Sequence, residues 1–430
     1  MNGTLQQGTT LTSDSGVSYT VKKLLGSGGQ GEVYEVTGNG KSHALKWYYP
    51  HTATASQKAV LENLVLKGAP DSVFLWPEDM VSDSSGGTFG YVMPLRPAHY
   101  KSIVDLMKRR AEPTFKALCR AAVNLCGGFE KLHGMGYAYR DISFGNLFFD
   151  PKNGDVLICD NDNVAPVTQE GDGSTVYGTP RFMAPEIVMG KGKPSRQSDQ
   201  FSLAVLLFYM FMVNHPLEGK LEADIRCMDI FAMNKLFGSH PVFIFDPENE
   251  SNRPVSGIHD NALIYWGLYP DSLKTLFVRA FTDGLREPHK RVTTREWKDL
   301  FANLYFSIAP CSCGAEVFHD GHFAVPCWHC KGTSPKMPLT LVSGRSRALL
   351  LGHSQLAVHH ADGKHDIDTT IGKVVQNPNN PDLWGIQNVS QSAWTYIRPD
   401  GTHVPVAPGR TAAIAKGAQI DFGQQIGKIV

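Results

Sequence analysis

The chain has 430 residues, 42% hydrophobic and 19% charged, which describes a folded protein too long for one ordinary core. Lysine plus arginine balance aspartate plus glutamate at 41 each, so no global basic field favours nucleic acid or an anionic membrane. The longest apolar run, residues 201–213 (FSLAVLLFYMFMV), is too short to span a bilayer and reads as a buried core helix.

The opening stretch, MNGTLQQGTTLTSDSG, has no basic region followed by an apolar one. A cytoplasmic location is therefore expected. Residues 1–18 are polar and are expected to form a flexible, loosely attached N-terminus. From 19 to 48, apolar and polar residues alternate around glycine-rich turns, the pattern of a β-meander. Residues 55–67 carry helical spacing in Val60 and Leu64, with Leu61 alongside. Residues 115–133 form a longer amphipathic helix, 156–159 a short buried strand and 195–213 the most apolar helix. Strands first and helices later predict a two-lobed α+β domain. Near Pro310 the chain becomes rich in Cys, His and Gly; after Pro338 it turns to short β-rich runs.

The segment Gly26-Ser27-Gly28-Gly29-Gln30-Gly31-Glu32-Val33 fits G-x-G-x-x-G-x-V. Glycines there let backbone amides approach phosphates unobstructed. Alone, the motif equally describes a plain hairpin turn. Thirteen residues after Val33 comes Lys46, within Ala44-Leu45-Lys46. A lysine on that strand can hold α- and β-phosphates, and it needs a carboxylate to hold it. Glu62 is the only acidic residue in the following helix. Gly40-Lys41-Ser42 resembles the end of a Walker A loop, but the required first glycine falls on Glu35. A dinucleotide fingerprint would open a helix, whereas here a strand follows.

Downstream, Tyr139-Arg140-Asp141-Ile142-Ser143-Phe144-Gly145-Asn146 follows the amphipathic helix, and Asp160 lies nineteen residues after Asp141. Gly178-Thr179-Pro180, Ala184-Pro185-Glu186, Asp199 and Arg291 follow in order. In this order and spacing the motifs resemble the eukaryotic-type protein kinase family, including bacterial eukaryotic-like Ser/Thr kinases. The resemblance covers about residues 19–305 and implies a bilobal fold, with an N-lobe at 19–93 and a C-lobe at 97–305.

That resemblance implies a set of roles. Asp141 would accept the substrate hydroxyl's proton, with Thr179 in contact with it. Asn146 and Asp160 would bind Mg²⁺ (or Mn²⁺), and hard oxygen ligands suit that ion. Lys46 and Glu62 would form the ion pair that steadies the phosphates. Gly26, Ser27, Gly28, Gly29, Gln30, Gly31 and Val33 would cover the ATP, with Ala44, Met93 as gatekeeper, Leu95 at the hinge and Ser143 also facing it. Glu186 with Arg291 would brace the activation segment, and Asp199 would hold the catalytic loop. Phosphoryl transfer asks for phosphates that are neutralised, in line and shielded, which is what such a set supplies. The implied activity is transfer of the ATP γ-phosphate to Ser or Thr of a protein.

Three departures stand out. Asn161-Asp162 replaces the usual Phe-Gly, Ser143 replaces a lysine, and Tyr139 replaces a histidine. Asp162 either adds charge at the metal site or caps a turn, the turn being favoured. No metal ligand or proton acceptor is lost, so activity is expected. The departures also motivate the alternative of a pseudokinase scaffold that binds nucleotide and partners without efficient transfer. A small-molecule kinase is disfavoured by the peptide-docking segment at 178–186. The loop from 160 to 186 holds Thr168, Ser174, Thr175 and Tyr177. Autophosphorylation at Thr175 or Ser174, read by Arg140, is expected.

Of the eight cysteines, Cys119, Cys126, Cys159 and Cys227 are scattered, and the first three read as inert core thiols. Cys311, Cys313, Cys327 and Cys330 form two close pairs. This spacing suits structural tetrahedral Zn²⁺ in a small ribbon at 306–335, with disulfide or reactive pairs as the alternative. His319, His322 and His329 are expected to stay outside the ligand set. Residues 336–430 carry turn signals every eight to twelve residues, predicting an all-β sandwich. Asn388-Val-Ser, Pro408-Gly409-Arg410, Lys416-Gly417 and Ile420-Asp-Phe-Gly423 resemble a forkhead-associated (FHA) domain. That family's phosphothreonine-reading Ser-x-x-His is absent, although Ser343-Gly344-Arg345 is present, so a docking or structural sandwich is expected. The order kinase, ribbon, sandwich resembles bacterial signalling kinases whose partners are von Willebrand A-type proteins and PP2C-like phosphatases.

Overall fold

The computed structural model describes residues 3–83, 86–166, 178–319, 326–332, 339–352 and 354–430. The N-terminal lobe is a six-stranded antiparallel sheet in the order β1-β2-β3-β4-β6-β5: β1 (Thr10–Thr12), β2 (Ser18–Ser27), β3 (Gly31–Gly38), β4 (Lys41–Tyr48), β5 (Asp79–Ser82) and β6 (Phe89–Pro94). One helix, α1 (Ala55–Lys67), packs on it; Thr54 caps its start by accepting from the Gln57 amide, and Gly68 ends it at φ 73°. Glycine is required at Gly31, where a Cβ would fall 2.2 Å from the Trp47 carbonyl oxygen, so the glycine-rich hairpin can lie close against β4.

The opening segment corrects the expectation of a flexible N-terminus. β1 pairs with β2 from Thr10↔Thr20 to Thr12↔Ser18. The amides of Thr4 and Leu5 donate to Glu32 Oε2 at 2.8 Å and Tyr34 Oη at 3.0 Å. Leu5, Leu11 and Val17 pack on the Tyr19, Tyr34 and Val36 cluster. Three apolar side chains and an open sheet edge are enough to hold an otherwise polar stretch.

The C-terminal lobe is helical. In the Arg196–Met212 helix every side chain from Ser198 to Met212 is buried, matching an apolar run from Phe201 onward that only Ser202 interrupts. The amphipathic Phe115–Gly134 helix, capped by Thr114, packs against it and against the Thr294–Tyr305 helix. No helix among the described residues is long and apolar enough to cross a membrane.

A short hairpin, Ile308–Pro310 with Glu316–Phe318, leads from this lobe to a two-sheet β-sandwich. The six-stranded sheet runs Ser346–Leu349, Thr340–Ser343, Ile426–Ile429, Gln419–Asp421, Trp394–Ile397, His403–Val406. The four-stranded sheet runs Gln355–Ala357, Thr370–Asn377, Asn380–Asn388, Thr411–Ala413. Leu341, Ile386, Ile420 and Ile429 fill its core. Asn388, fully buried, donates to the Ser392 and Val406 carbonyls at 2.8 and 2.9 Å. The sandwich docks on the Thr294–Tyr305 helix: Asn303 bonds the Arg345 carbonyl and the Arg347 amide, both at 2.9 Å, and Asp299 pairs with His365.

Candidate active site and cysteine centre

The cleft between the lobes gathers most of the residues singled out in the sequence. The hairpin from β2 to β3 closes with Gly28 donating to the Gly31 carbonyl at 2.8 Å. A Cβ at Gly26, Gly28 or Gly29 would meet nothing within 4 Å, which leaves their backbone open to a ligand. Ser27 pairs with Glu32 at its mouth, Val33 faces Lys46 across β3 and β4, and Ala44 faces Met93 across β4 and β6. Ala44 and Met93 are buried and Leu95 is partly buried. This is an apolar slot beneath a glycine-rich cover.

Asp141 lies on the loop after the Phe115–Gly134 helix. Its Oδ1 accepts from Thr179 Oγ1 at 2.8 Å. Asn146 Nδ2 donates to the Asp141 carbonyl at 2.8 Å, which turns the amide oxygen of Asn146 the other way. Ser143 is buried, and its carbonyl accepts from the Asn146 amide at 3.3 Å. Asp199 anchors the loop from below: its carboxylate accepts from the amides of Tyr139 at 2.7 Å and Arg140 at 3.0 Å and lies 3.0 Å from His133 Nε2. Tyr139 is buried and its hydroxyl donates to the Cys159 carbonyl. Thr168, Ser174, Thr175 and Tyr177 lie outside the described residues, as does His322.

Asp160 follows the Val156–Ile158 strand in a left-handed conformation, φ 56°. Its carboxylate pairs with Lys46 Nζ, which also reaches Gln30 Oε1 at 3.1 Å. The expected Lys46–Glu62 pair is not formed. Glu62 is half exposed and sits 4.0 Å from Lys58, one helical turn away. α1 buries Leu61 and Leu64, while Val60 is only partly buried. Leu61 and Leu64 head the inward face, and Glu62, about 100° beyond Leu61 and about 160° from Leu64, points outward. Lys46 instead meets Asp162 Oδ2 at 2.7 Å.

Asp162 therefore does more than cap a turn. It is fully buried within the one-turn helix Asn161–Asn163, and Tyr48 Oη donates to its Oδ2. Gln57 Nε2 of α1 donates to its carbonyl oxygen at 2.9 Å. Neighbouring Asn161, also fully buried, donates to the Leu75 and Ile158 carbonyls at 2.8 and 3.1 Å. Sequence reasoning missed Asp162, Gln57 and Tyr48 as a group; the signals were the Asp162 departure itself and Gln57 standing four residues before Leu61.

Electrostatics follow from the burial. Burial acts to lower the Lys46 pKa, but Asp162 and then Asp160 more than offset it and hold the ammonium above its ordinary range. Burial acts to raise Asp162, and Lys46 outweighs it, keeping this carboxyl below the usual range. Asp160 is pushed up to about 6 by burial and by Asp162, with Lys46 opposing. The oxygen donors of Asp160 and Asn146 suit a hard divalent cation, which would also compensate the two adjacent carboxylates.

Behind the cleft, Glu186 and Arg291 form a two-pronged ion pair at 2.8 and 2.7 Å. On the far side of the C-lobe, the sulfur atoms of Cys311, Cys313, Cys327 and Cys330 lie within 4.8 Å of one another. Two of the separations, Cys311–Cys330 and Cys313–Cys327, are 3.7 Å. A tetrahedron of thiolates about 2.3 Å from a zinc ion has edges of about 3.8 Å, whereas a disulfide needs about 2 Å. The residues fit zinc. Gly314, at φ 88°, and Lys331, at φ 58°, turn the two knuckles. The Cys313 amide facing its sulfur helps lower the Cys311 thiol to about 6. His319 is buried and His329 stacks edge-on against Trp328; neither belongs to the cluster. Within this segment Trp328 Nε1 donates to the Glu316 carbonyl at 2.9 Å; the segment docks on the C-lobe through the Lys116 amide, which donates to Glu316 Oε2 at 2.9 Å, and through Phe318, which packs on Phe115 and Tyr269.

Comparison with known proteins agrees with this geometry. A probable serine/threonine-protein kinase of Zea mays is 31% identical over 207 residues, 46% of this chain and 32% of that protein. A cell cycle serine/threonine-protein kinase of Saccharomyces cerevisiae is 31% identical over 134 residues, 30% of this chain and 19% of that protein. A serine/threonine-protein kinase of Streptomyces coelicolor is 28% identical over 228 residues, 48% of this chain and 39% of that protein. The matches thus span well under half the length of these relatives. The Protein kinase domain family matches residues 19–301, and the chain belongs to that family.

Proposed function

We propose that the protein is an ATP-dependent Ser/Thr protein kinase. The observation that carries this is the Thr179–Asp141 hydrogen bond. It ties the segment that docks a peptide in this family to the residue that would receive the substrate hydroxyl's proton. Asp141 positions that hydroxyl and acts as a mild general base. Asp160 and Asn146 would hold Mg²⁺, which neutralises the phosphates when bound. Lys46 draws on the same phosphate charge, and the glycine-rich hairpin excludes water above it. Ser143 contributes no cation, so more of the γ-phosphate charge falls to the metal and Lys46.

Autophosphorylation at Ser174 or Thr175, with Arg140 as reader, belongs to the same proposal. Four thiolates hold a structural zinc. The sandwich, whose strand order runs through two facing sheets, is read as FHA-like and serves as a docking module. By family analogy its partners include von Willebrand A-type proteins and PP2C-like phosphatases.

The test is phosphate transfer from labelled ATP with Mg²⁺, native chain against Asp141→Ala and Asp160→Ala. Label on the chain or on a basic protein, lost in both variants, supports the kinase. ATP binding without transfer, even with candidate partners present, replaces it with the nucleotide-binding scaffold.

A further inference from the structure

Burying a lysine ammonium is costly unless a carboxylate compensates it. In the kinase resemblance that carboxylate comes from the helix of the N-lobe. Here α1 turns Gln57, Leu61 and Leu64 inward and Glu62 to solvent, so the helix offers the lysine no charge. The missing charge comes from elsewhere. Asp162, two residues beyond Asp160, places Oδ2 2.7 Å from Lys46 Nζ with its side chain wholly inaccessible to solvent. Tyr48, two residues beyond Lys46 on β4, donates to the same oxygen. Gln57 reaches the Asp162 carbonyl instead of the lysine.

Resting on the kinase reading, we propose that Asp162 is a positioning residue for phosphoryl transfer, taking over from the helix the counter-charge that holds Lys46. The uncharged inward face of α1 and the carboxylate that stands in place of a glycine after Asp160 then compensate each other. A regulatory consequence follows. When the counter-charge sits on the helix, swinging the helix breaks the pair and switches the enzyme off. Here the lysine is held by the metal-binding loop and its own strand, and Asn161 pins that loop to the Leu75 and Ile158 carbonyls. Displacing α1 costs the Gln57 hydrogen bond but leaves Lys46 paired.

The experiment compares the full chain with Asp162→Asn, Asp162→Gly and the double variant Asp162→Gly/Gln57→Glu, which moves the carboxylate back to the helix. A misplaced phosphate-binding group costs on the order of 10²-fold in rate. Both single variants are expected to lose about 10- to 100-fold in kcat. The double variant is expected to recover at least tenfold over Asp162→Gly, a rescue that a merely structural loss would not show. Full activity in Asp162→Asn, or a folded double variant no better than Asp162→Gly, overturns the proposal. If the native chain transfers no phosphate, the kinase reading fails on its own and the same variants are ranked by Kd for ATP–Mg²⁺. Weaker binding in the single variants and recovery in the double one supports the relocated charge; equal affinities overturn it.

Discussion

The Glu186 carboxylate lies flat against the Arg291 guanidinium, with Oε1 to Nη1 at 2.8 Å and Oε2 to Nη2 at 2.7 Å, across 105 residues of chain. Arg291 is almost wholly buried and also donates to the Gly284 and Gln197 carbonyls. Two parallel hydrogen bonds between charged groups fix orientation as well as distance. The segment from Gly178 to Glu186 is thereby tethered at one end to the core of the C-lobe and at the other, through Thr179, to Asp141.

Removing Glu186 leaves a buried guanidinium without its counter-charge. Glu186→Ala is expected to destabilise the kinase domain by about 3 kcal/mol, read as a lower denaturant midpoint with an unchanged slope. Glu186→Gln keeps the shape and one hydrogen bond and should fall between the two. An alanine variant as stable as the native chain would show that the pair does not brace the segment.

Glu62 is the residue at which sequence and structure part. Glu62 is singled out in the sequence as the only acidic residue of α1. At 3.6 residues per turn it stands about 100° round the helix from Leu61 and about 160° from Leu64, so it leaves the buried face whichever of Val60 and Leu61 heads that face. Gln57, four residues before Leu61, stays on it, so the apolar spacing points away from position 62 and toward position 57. Motifs written in single short loops, such as Asp141 to Asn146, were legible because local sequence fixes their geometry. The Lys46–Asp162 pair was not, because it joins residues 116 positions apart. Glu62→Ala is expected to transfer phosphate within about twofold of the native rate, since exposed i,i+4 pairs like Lys58–Glu62 are worth only about 0.3–0.5 kcal/mol. A tenfold loss would return the lysine's partner to the helix.

The cysteine centre should carry one zinc ion per chain, measured by elemental analysis of protein purified without added metal. Chelation or Cys327→Ser is expected to release it and to make the hairpin Ile308–Pro310 and Glu316–Phe318 more sensitive to proteolysis, because Trp328 and Phe318, which both pack on Phe115, lie on the two segments that the cysteines join. The mass of the denatured, unreduced chain decides the alternative: two disulfides would lower it by about 4 Da, and no such loss is expected from a set of free thiolates around a metal.

Where the sandwich meets the kinase domain, His359 is buried with neither ring nitrogen hydrogen-bonded among the described residues. It is flanked by the Phe306 ring, by His360 and by His365, which pairs with Asp299. Burial, then His360 and His365, depress its pKa to about 3, with Lys298 acting the same way and Asp299 opposing. His360, buried and bonded to the Ala357 amide and the Arg347 carbonyl, is lowered to about 4, chiefly by burial. Both imidazoles are neutral when folded, while an unfolded histidine protonates below about 6.5. Below that pH the unfolded chain binds more protons, so their contribution to stability is complete above about 6.5 and is lost as pH falls toward 4 and 3. Each removes about 1.4 kcal/mol per pH unit once well below 6.5. His359→Leu should therefore match or exceed native stability at pH 7.5, since it also removes a buried N–H with no acceptor, which costs about 1–3 kcal/mol. Its advantage should widen between pH 6.5 and 5, measured by urea denaturation across that range. A variant whose stability runs parallel to the native chain over those pH values would mean that His359 already carries a proton in the folded protein, and that Asp299 outweighs burial at this interface.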